Sequence, residues 1–390
     1  MFHPLLVTPP PMIAQASLSP QAALERLFTS EIQRDWFDPM FLQQIPVSVE
    51  QIITNLKDSL GEYRSVTQEG ENYVVLFERG RVPTQIVLNS KGQSAVLWVR
   101  EILRNAISLE EATKQLKALP GQVNFLVREG KTELAALNPD QPLAVGSAFK
   151  LAVLAALRTQ IETKSAPRSW SEVVALKPED KSLPSGFLQS WFDGALLTVE
   201  SLATLMISQS DNTATDTLIR LVGREAIEAL TPRNRPFLTT SEAFKLKAPQ
   251  NKSFLERYRK GNESERRQVL QDVAKLPLPD LLSFPANQVL ALDVEWFFTP
   301  RELCNLIEPV SDLPLMSVNP GGGYFDASQW SRVAFKGGSE GGVLNLTTWL
   351  QAKNGKTYCV TVTWNDQQLL DDMKLRTIYG AAIAGLHDRP

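Results

Sequence analysis

Histidine is nearly missing from this sequence: only His3 and His387 occur, each within a few residues of a chain end. A Ser-His-Asp or Cys-His triad needs an imidazole held in a rigid site, so any serine chemistry here must use another base. The same scarcity argues against zinc, because catalytic zinc sites usually take at least one histidine. Cysteine is equally sparse, and Cys304 and Cys359 fit either one disulfide or two buried apolar fillers. No run of about 18 apolar residues is present, which excludes a transmembrane helical anchor on pattern. Charge of one sign is also lacking, since 40 basic side chains stand against 43 acidic ones, a formal net charge of -3. No summed field would draw in nucleic acid or an anionic membrane, and mixed stretches such as 256–260 and 265–267 read as solvated helix faces. A small-molecule partner is expected, with no metal and no cofactor.

What is present is an ordinary globular balance, 43% hydrophobic and 21% charged, over a length that suits two or three domains. Residues 1–20 read as a leader or signal remnant. They include Leu5, Leu6 and Val7 and close on Ala14-Gln15-Ala16, a small-x-small pattern of the kind signal peptidases cut. They lack a basic n-region, and Pro9, Pro10 and Pro11 interrupt the apolar run, so the pattern fits the tail of a signal beginning upstream.

Residues 21–105 read as a small α+β accessory domain. Apolar spacing of three and four over 22–28 and 49–60 predicts two amphipathic helices. The runs 73–77, 84–88 and 94–98, divided by Gly80 and by Asn89-Ser90-Lys91-Gly92, predict an antiparallel meander. Trp36 and Trp98 are expected in its core. A linker helix is expected over 106–120, and a fresh domain from Gly121, opening with strands over 123–127 and 132–137 around a Gly130-Lys131 turn. Residues 149–157 are apolar almost all round, the mark of a core helix able to mount a catalytic group rigidly. Further helices are predicted over 199–208, over 212–221 stopped by Gly223, and over 300–307 with Thr299 as cap and Glu302 at its third position. A strand over 357–364 and a helix over 369–386 close the chain.

Three short motifs carry chemistry. Ser147-Ala148-Phe149-Lys150 sets a hydroxyl and an amine three residues apart, on one face where a helix begins. A lysine there acts as a base if burial and nearby cations depress its pKa. Taken alone, Ser-x-x-Lys is expected about once by chance in a chain of this size. Ser210-Asp211-Asn212 offers a second hydroxyl and an amide between two helices, although Asp211 or Asn212 also suits a plain N-cap. Lys336-Gly337-Gly338-Ser339 follows a strand-like Val333-Ala334-Phe335, combining an anion-attracting lysine with glycines that let a substrate approach the backbone; an ordinary glycine-rich turn is the alternative.

In order, these motifs resemble the Ser-x-x-Lys, Ser-Asp-Asn and Lys-Thr-Gly set of class A β-lactamases and penicillin-binding proteins. The resemblance runs from Gly121 to the C-terminus and includes Ser208 to Leu218 and Thr299-Pro300-Arg301-Glu302-Leu303. It implies an α+β fold over 121–390, an antiparallel sheet flanked by helices with an all-helical subdomain. It implies a serine hydrolase acylated on Ser147, with Lys150 as base, Ser210 as proton relay to the leaving nitrogen, Asn212 holding a substrate amide and Lys336 attracting a carboxylate. Gly338 and Ser339 would line the substrate, and the backbone amides of Ser147 and Ser339 would form the oxyanion hole. The substrate implied is a β-lactam, a related amide or ester, or a peptidoglycan-like peptide, and the location periplasmic or secreted. The N-terminal domain is similar in pattern to the cystatin-like or NTF2-like domains of two-domain relatives.

Two features depart from that family. No Glu-x-x-Leu-Asn motif of the kind that activates the deacylating water is found. The nearest candidate is Glu242, in a context that equally suits a helix cap from Thr239 or Thr240. Gly337 stands where the family has a threonine, and one lost bond to a charged group is worth about 1.5 to 3 kcal/mol, so penicillin-like anions are expected to bind roughly ten- to a hundredfold less well. Slow turnover, a D-Ala-D-Ala carboxypeptidase or esterase, and a penicillin-binding protein without turnover are the alternatives.

Overall fold

The computed structural model describes residues 18–387, apart from 46, 71, 100–101, 165–167, 286–287 and 322–323. The expected leader lies almost entirely outside the described residues. The chain divides into two compact units with the boundary after Leu103.

In the first unit, Ser19 caps α1 (Pro20–Thr29) by accepting from the Ala22 amide, and Ser48 caps α2 (Val49–Leu60) through the Gln51 amide. Four strands follow as an antiparallel meander: β1 (Tyr63–Glu69), β2 (Asn72–Phe77), β3 (Gly80–Leu88) and β4 (Ser94–Val99). Leu24, Leu27 and Phe28 of α1 and Ile53, Leu56 and Leu60 of α2 bury one apolar stripe each against Val66, Val75, Phe77, Val82 and Ile86. The sequence reading missed β1, because Val66 is the only buried side chain of this edge strand and the rest of it is polar. Trp98 also departs from expectation: its side chain lies on the outer face of β4 and is 62% exposed.

The second unit is built on a five-stranded antiparallel sheet. Its strands are β5 (Gln122–Glu129), β6 (Thr132–Leu137), β7 (Arg332–Glu340), β8 (Val343–Gln351) and β9 (Thr357–Asn365), in the spatial order β7-β8-β9-β5-β6. On one face α3 (Leu109–Lys117) and the C-terminal helix, Asp372–His387, cover Phe125, Val127, Leu344, Leu346, Val360 and Val362. Ala112 and Leu116, one turn apart on α3, are buried in the sheet core.

On the other face sits the large helical core. Its centre is α4 (Lys150–Thr163), whose residues from Lys150 to Leu157 are all buried. Around it lie α5 (Val199–Ser208), α6 (Asn212–Val222), α7 (Thr240–Lys247) and α8 (Pro300–Ile307). The Thr299–Glu302 capping box forms as the sequence implies, each residue's side chain accepting from the other's amide. We label the closing helix, Asp372–His387, α9.

Cys304 on α8 and Cys359 on β9 form a disulfide 55 residues apart in sequence, tying the helical layer to the sheet. Closing a loop of that size restricts the unfolded chain by about 4 kcal/mol in the chain-entropy account. Replacing both cysteines by alanine is expected to remove about 2–4 kcal/mol of stability. Urea unfolding of the double variant measures this, and an unchanged midpoint would contradict it.

Candidate active site

The apolar mount of α4 begins in a short 3-10 turn, Gly146–Phe149, that presents Ser147 at the helix entrance. Phe149 fixes this turn by stacking on Trp296 at 3.8 Å between ring centroids and meeting Phe237 edge-on. Lys150, the first residue of α4, is fully buried, with its Nζ 3.2 Å from Ser147 Oγ. That nitrogen also lies 2.6 Å from the Ser210 carbonyl, 3.0 Å from Ser210 Oγ and 2.7 Å from Asn212 Oδ1. Burial, with a contribution from the charge of Lys336, holds the Lys150 pKa well below its usual value, against the partial opposition of Asp216 and Asp211.

A neutral amine has two protons and one lone pair. The carbonyl of Ser210 and the amide oxygen of Asn212 are acceptors only, so they take the two protons and leave the lone pair for a hydroxyl proton. Such an arrangement can deprotonate Ser147 without any imidazole.

Ser210 occupies the turn between α5 and α6 with φ of 54°, a left-handed conformation uncommon for a residue with a side chain. Neighbouring bonds hold it there. Its carbonyl accepts from Lys150 and from Ser185 Oγ, and the next residue, Asp211, caps α6 through the Ala214 amide while accepting from the amides of Phe187 and Leu188. Ser210 Oγ accepts from Lys336 Nζ at 3.0 Å and lies 3.0 Å from Lys150 Nζ. A hydroxyl bridging the two amines in this way can relay a proton between them and the cavity. Burial pushes the Lys336 pKa down to about 7.

Asn212 lines the cavity with its Oδ1 facing Lys150 and its Nδ2 donating one of its two protons to the Leu183 carbonyl at 2.9 Å. Asp216, one turn further along α6, was not foreseen. Its carboxylate accepts from the Thr240 amide and hydroxyl and from the Ser241 amide, tying the start of α7 to the site. Burial raises its pKa to about 7, against those hydrogen bonds.

The strand β7 forms the opposite wall. A Cβ built on Gly338 would lie 2.2 Å from the Val145 carbonyl oxygen and 2.4 Å from the Ser147 nitrogen, so only glycine lets the strand approach the serine turn this closely. The approach brings Ser147 and Ser339 into one cavity of about 600 Å3, whose lining also includes Lys336, Gly338, Ser210 and Asn212. A groove of similar size, about 620 Å3, lies along α3 and β6, but its polar lining of Glu110, Thr113, Lys114 and Lys117 includes no buried lysine beside a hydroxyl, and the cavity at Ser147 is the candidate site.

The structure does not bring Glu242 into this group. One of its oxygens pairs with Arg224 at 2.7 Å, and the other accepts from the Thr239 amide, closing the capping box of α7. Its carboxylate is a helix cap engaged at both oxygens, and Glu242 is not among the residues that line the cavity, unlike the catalytic placement expected for it. Sequence reasoning missed Arg376 of α9, which lines the cavity, stacks over the Tyr324 ring and bonds to the Tyr324 hydroxyl and Asp372. Nothing in its local sequence marks it, since the site forms only when α9 returns to the sheet. Gly337 also has a physical reason: a Cβ there would stand 3.0 Å from both the Phe335 ring and the Asn345 carbonyl.

A five-stranded antiparallel sheet between helical layers, with a serine and two buried lysines at its β7 edge, defines the β-lactamase/transpeptidase-like fold, which the second unit adopts. Residues 108–277 match the family model described as Beta-lactamase enzyme family. Among solved structures, a β-lactamase from Sphaerobacter thermophilus DSM 20745 is 22% identical with a TM-score of 0.50, the match covering 72% of this chain and 95% of that one. PBP-A is 16% identical at a TM-score of 0.48, covering 73% and 98%. A β-lactamase from Chitinophaga pinensis DSM 2588 is 15% identical at 0.48, covering 70% and 96%. No curated protein matches the chain.

Proposed function

We propose that this protein is a serine hydrolase of the penicillin-recognising type, which transfers the acyl group of a β-lactam, or of a related amide or ester, to Ser147. The observation that carries the reading is the buried Lys150 amine, 3.2 Å from Ser147 Oγ and held there by Ser210 and Asn212. In the reaction Ser147 attacks the carbonyl, Lys150 takes its proton, and the tetrahedral oxyanion is met by the amides of Ser147 and Ser339. Ser210 hands its proton to the departing nitrogen as the carbonyl–nitrogen bond breaks and takes up in exchange the one that Lys150, 3.0 Å away, removed from Ser147. Lys336, with Arg376 as a second cation in the same cavity, draws the substrate carboxylate, which compensates for the glycine at 337.

Turnover of the acyl-enzyme is the slower half of this reading. The commitment of Glu242 to Arg224 and to the α7 cap favours a long-lived acyl-enzyme, as in a penicillin-binding protein or a D-Ala-D-Ala carboxypeptidase. The Cys304–Cys359 disulfide supports an oxidising compartment, periplasmic or extracellular. The helices-then-meander order of the first unit is in keeping with a cystatin-like or NTF2-like accessory domain.

The test is a fluorescent penicillin with intact-mass detection, and Ser147→Ala as control. An adduct on the wild-type chain that the alanine variant lacks supports the reading, and its persistence over hours supports slow deacylation. No adduct with penicillins or with activated esters would overturn it.

A further inference from the structure

Beyond the serine and its lysines, the cavity holds a second charged cluster. Lys247 at the end of α7 bonds to Glu295 and, at 2.5 Å, to Glu340 at the end of β7, and all three residues line the same cavity as Ser147. The Glu295 side chain is 0% exposed, and among the described residues its Oε2 has no hydrogen-bond partner. Two carboxylates thus share one ammonium, and one buried carboxylate oxygen has no donor. Such an atom ordinarily finds a partner, because leaving it bare carries its whole desolvation cost.

The position of the cluster says what could supply that donor. Side chains alternate along a strand, so Lys336, Gly338 and Glu340 share one face of β7 over about 14 Å. Gly338, midway, abuts Ser147. On the reading proposed above, a substrate with its carboxylate at Lys336 and its scissile carbonyl at Ser147 extends its acyl portion toward Glu340. It would meet the acidic cluster about 7 Å beyond the reacting carbon.

We propose that Lys247, Glu295 and Glu340 form an acyl-side subsite that selects substrates carrying an ammonium group close to the scissile carbonyl, such as α-amino acyl amides. The substrate ammonium supplies the second cation that the carboxylate pair lacks and donates to Glu295 Oε2. Glu340, partly exposed at the rim, is the first carboxylate it meets, and Glu295 the inner one. In the free protein, burial and the charge of Glu340 raise the Glu295 pKa to about 8 against the opposing Lys247, so the carboxyl pair holds a proton between its members, which the substrate ammonium would replace.

The test separates this subsite from the serine chemistry. Calorimetric titration of the full chain with phenylglycine amide, a cation, and phenylacetamide, its neutral analogue, reads the subsite alone. The cationic amide is expected to bind at least tenfold more tightly, and that ratio is expected to collapse toward one in both Glu295→Gln and Glu340→Gln. Reading the ratio within each variant cancels any general loss of folding, and Glu340, at the rim, is the substitution least exposed to that loss. Equal affinities, no measurable binding of either amide, or a ratio kept in both variants would overturn the proposal. Acylation by an α-aminobenzyl penicillin against benzylpenicillin runs in parallel. No Ser147 adduct with either, alongside a preserved amide preference, would sink the hydrolase reading and leave the subsite standing. Adducts without any amide preference would do the reverse.

Discussion

Replacing Lys150 by methionine is expected to slow acylation of Ser147 by about a hundred- to ten-thousandfold, the range associated with losing a positioned general base. The wild-type pH profile should identify the same group. Lys150 works deprotonated, so the rate rises as pH climbs through its depressed pKa. Lys336 works protonated, so attraction of a carboxylate falls as pH rises through about 7. A carboxylate-bearing penicillin should therefore give a bell-shaped rate profile, and a neutral ester should keep the rising limb while losing most of the fall. The variant should retain neither the rate nor the rising limb. Stopped-flow acylation across pH 5 to 9 measures both, with thermal melting as the check on folding. A methionine variant that acylates at the wild-type rate would remove Lys150 from the mechanism.

A single methyl group at position 338 should do comparable damage without touching a charged residue. In Gly338→Ala the added carbon would fall 2.2 Å from the Val145 oxygen, 2.4 Å from the Ser147 nitrogen and 2.6 Å from the Ala148 nitrogen, all of them backbone atoms that no rotamer change can clear. Strand and serine turn must separate, which displaces the Ser147 and Ser339 amides from one another. Losing the alignment of one oxyanion donor costs about a hundred- to a thousandfold in rate, and the overpacking costs about 1–3 kcal/mol of stability. Acylation kinetics and a melting curve on the same sample distinguish the two effects. A fully active alanine variant would show that the β7 amide takes no part.

Much of this architecture was legible in the residues themselves. The 3.6 periodicity of Val49 to Leu60, the Thr299–Glu302 capping box and the all-round apolar stretch after Lys150 are local patterns, and local patterns fix local structure. Polar β1 stayed hidden because an exposed edge strand carries almost no hydrophobic alternation. The helix expected within 106–120 is present, but nothing in its own sequence says which surface covers Ala112 and Leu116.

The site divides in the same way. Ser147, Lys150, Ser210 and Lys336 were nameable because each stands in a short motif whose spacing has chemical meaning, and the near absence of histidine directed attention to a lysine base. Partners without a motif depend on long-range packing. Arg376 and Asp216 reach the cavity region only through the return of α9 to the sheet and the docking of α7 on α6. Lys247, Glu295 and Glu340 lie in three separate segments that converge in the fold. Glu242, which its sequence context left as either a base or a cap, became a cap once Arg224 and the Thr239 amide took its oxygens. The sequence by itself determined which groups can do chemistry, because reactivity belongs to residue types at short spacing. The tertiary structure decided which of them meet, and which are buried deeply enough for their proton affinities to shift, because desolvation depends on everything packed around a group.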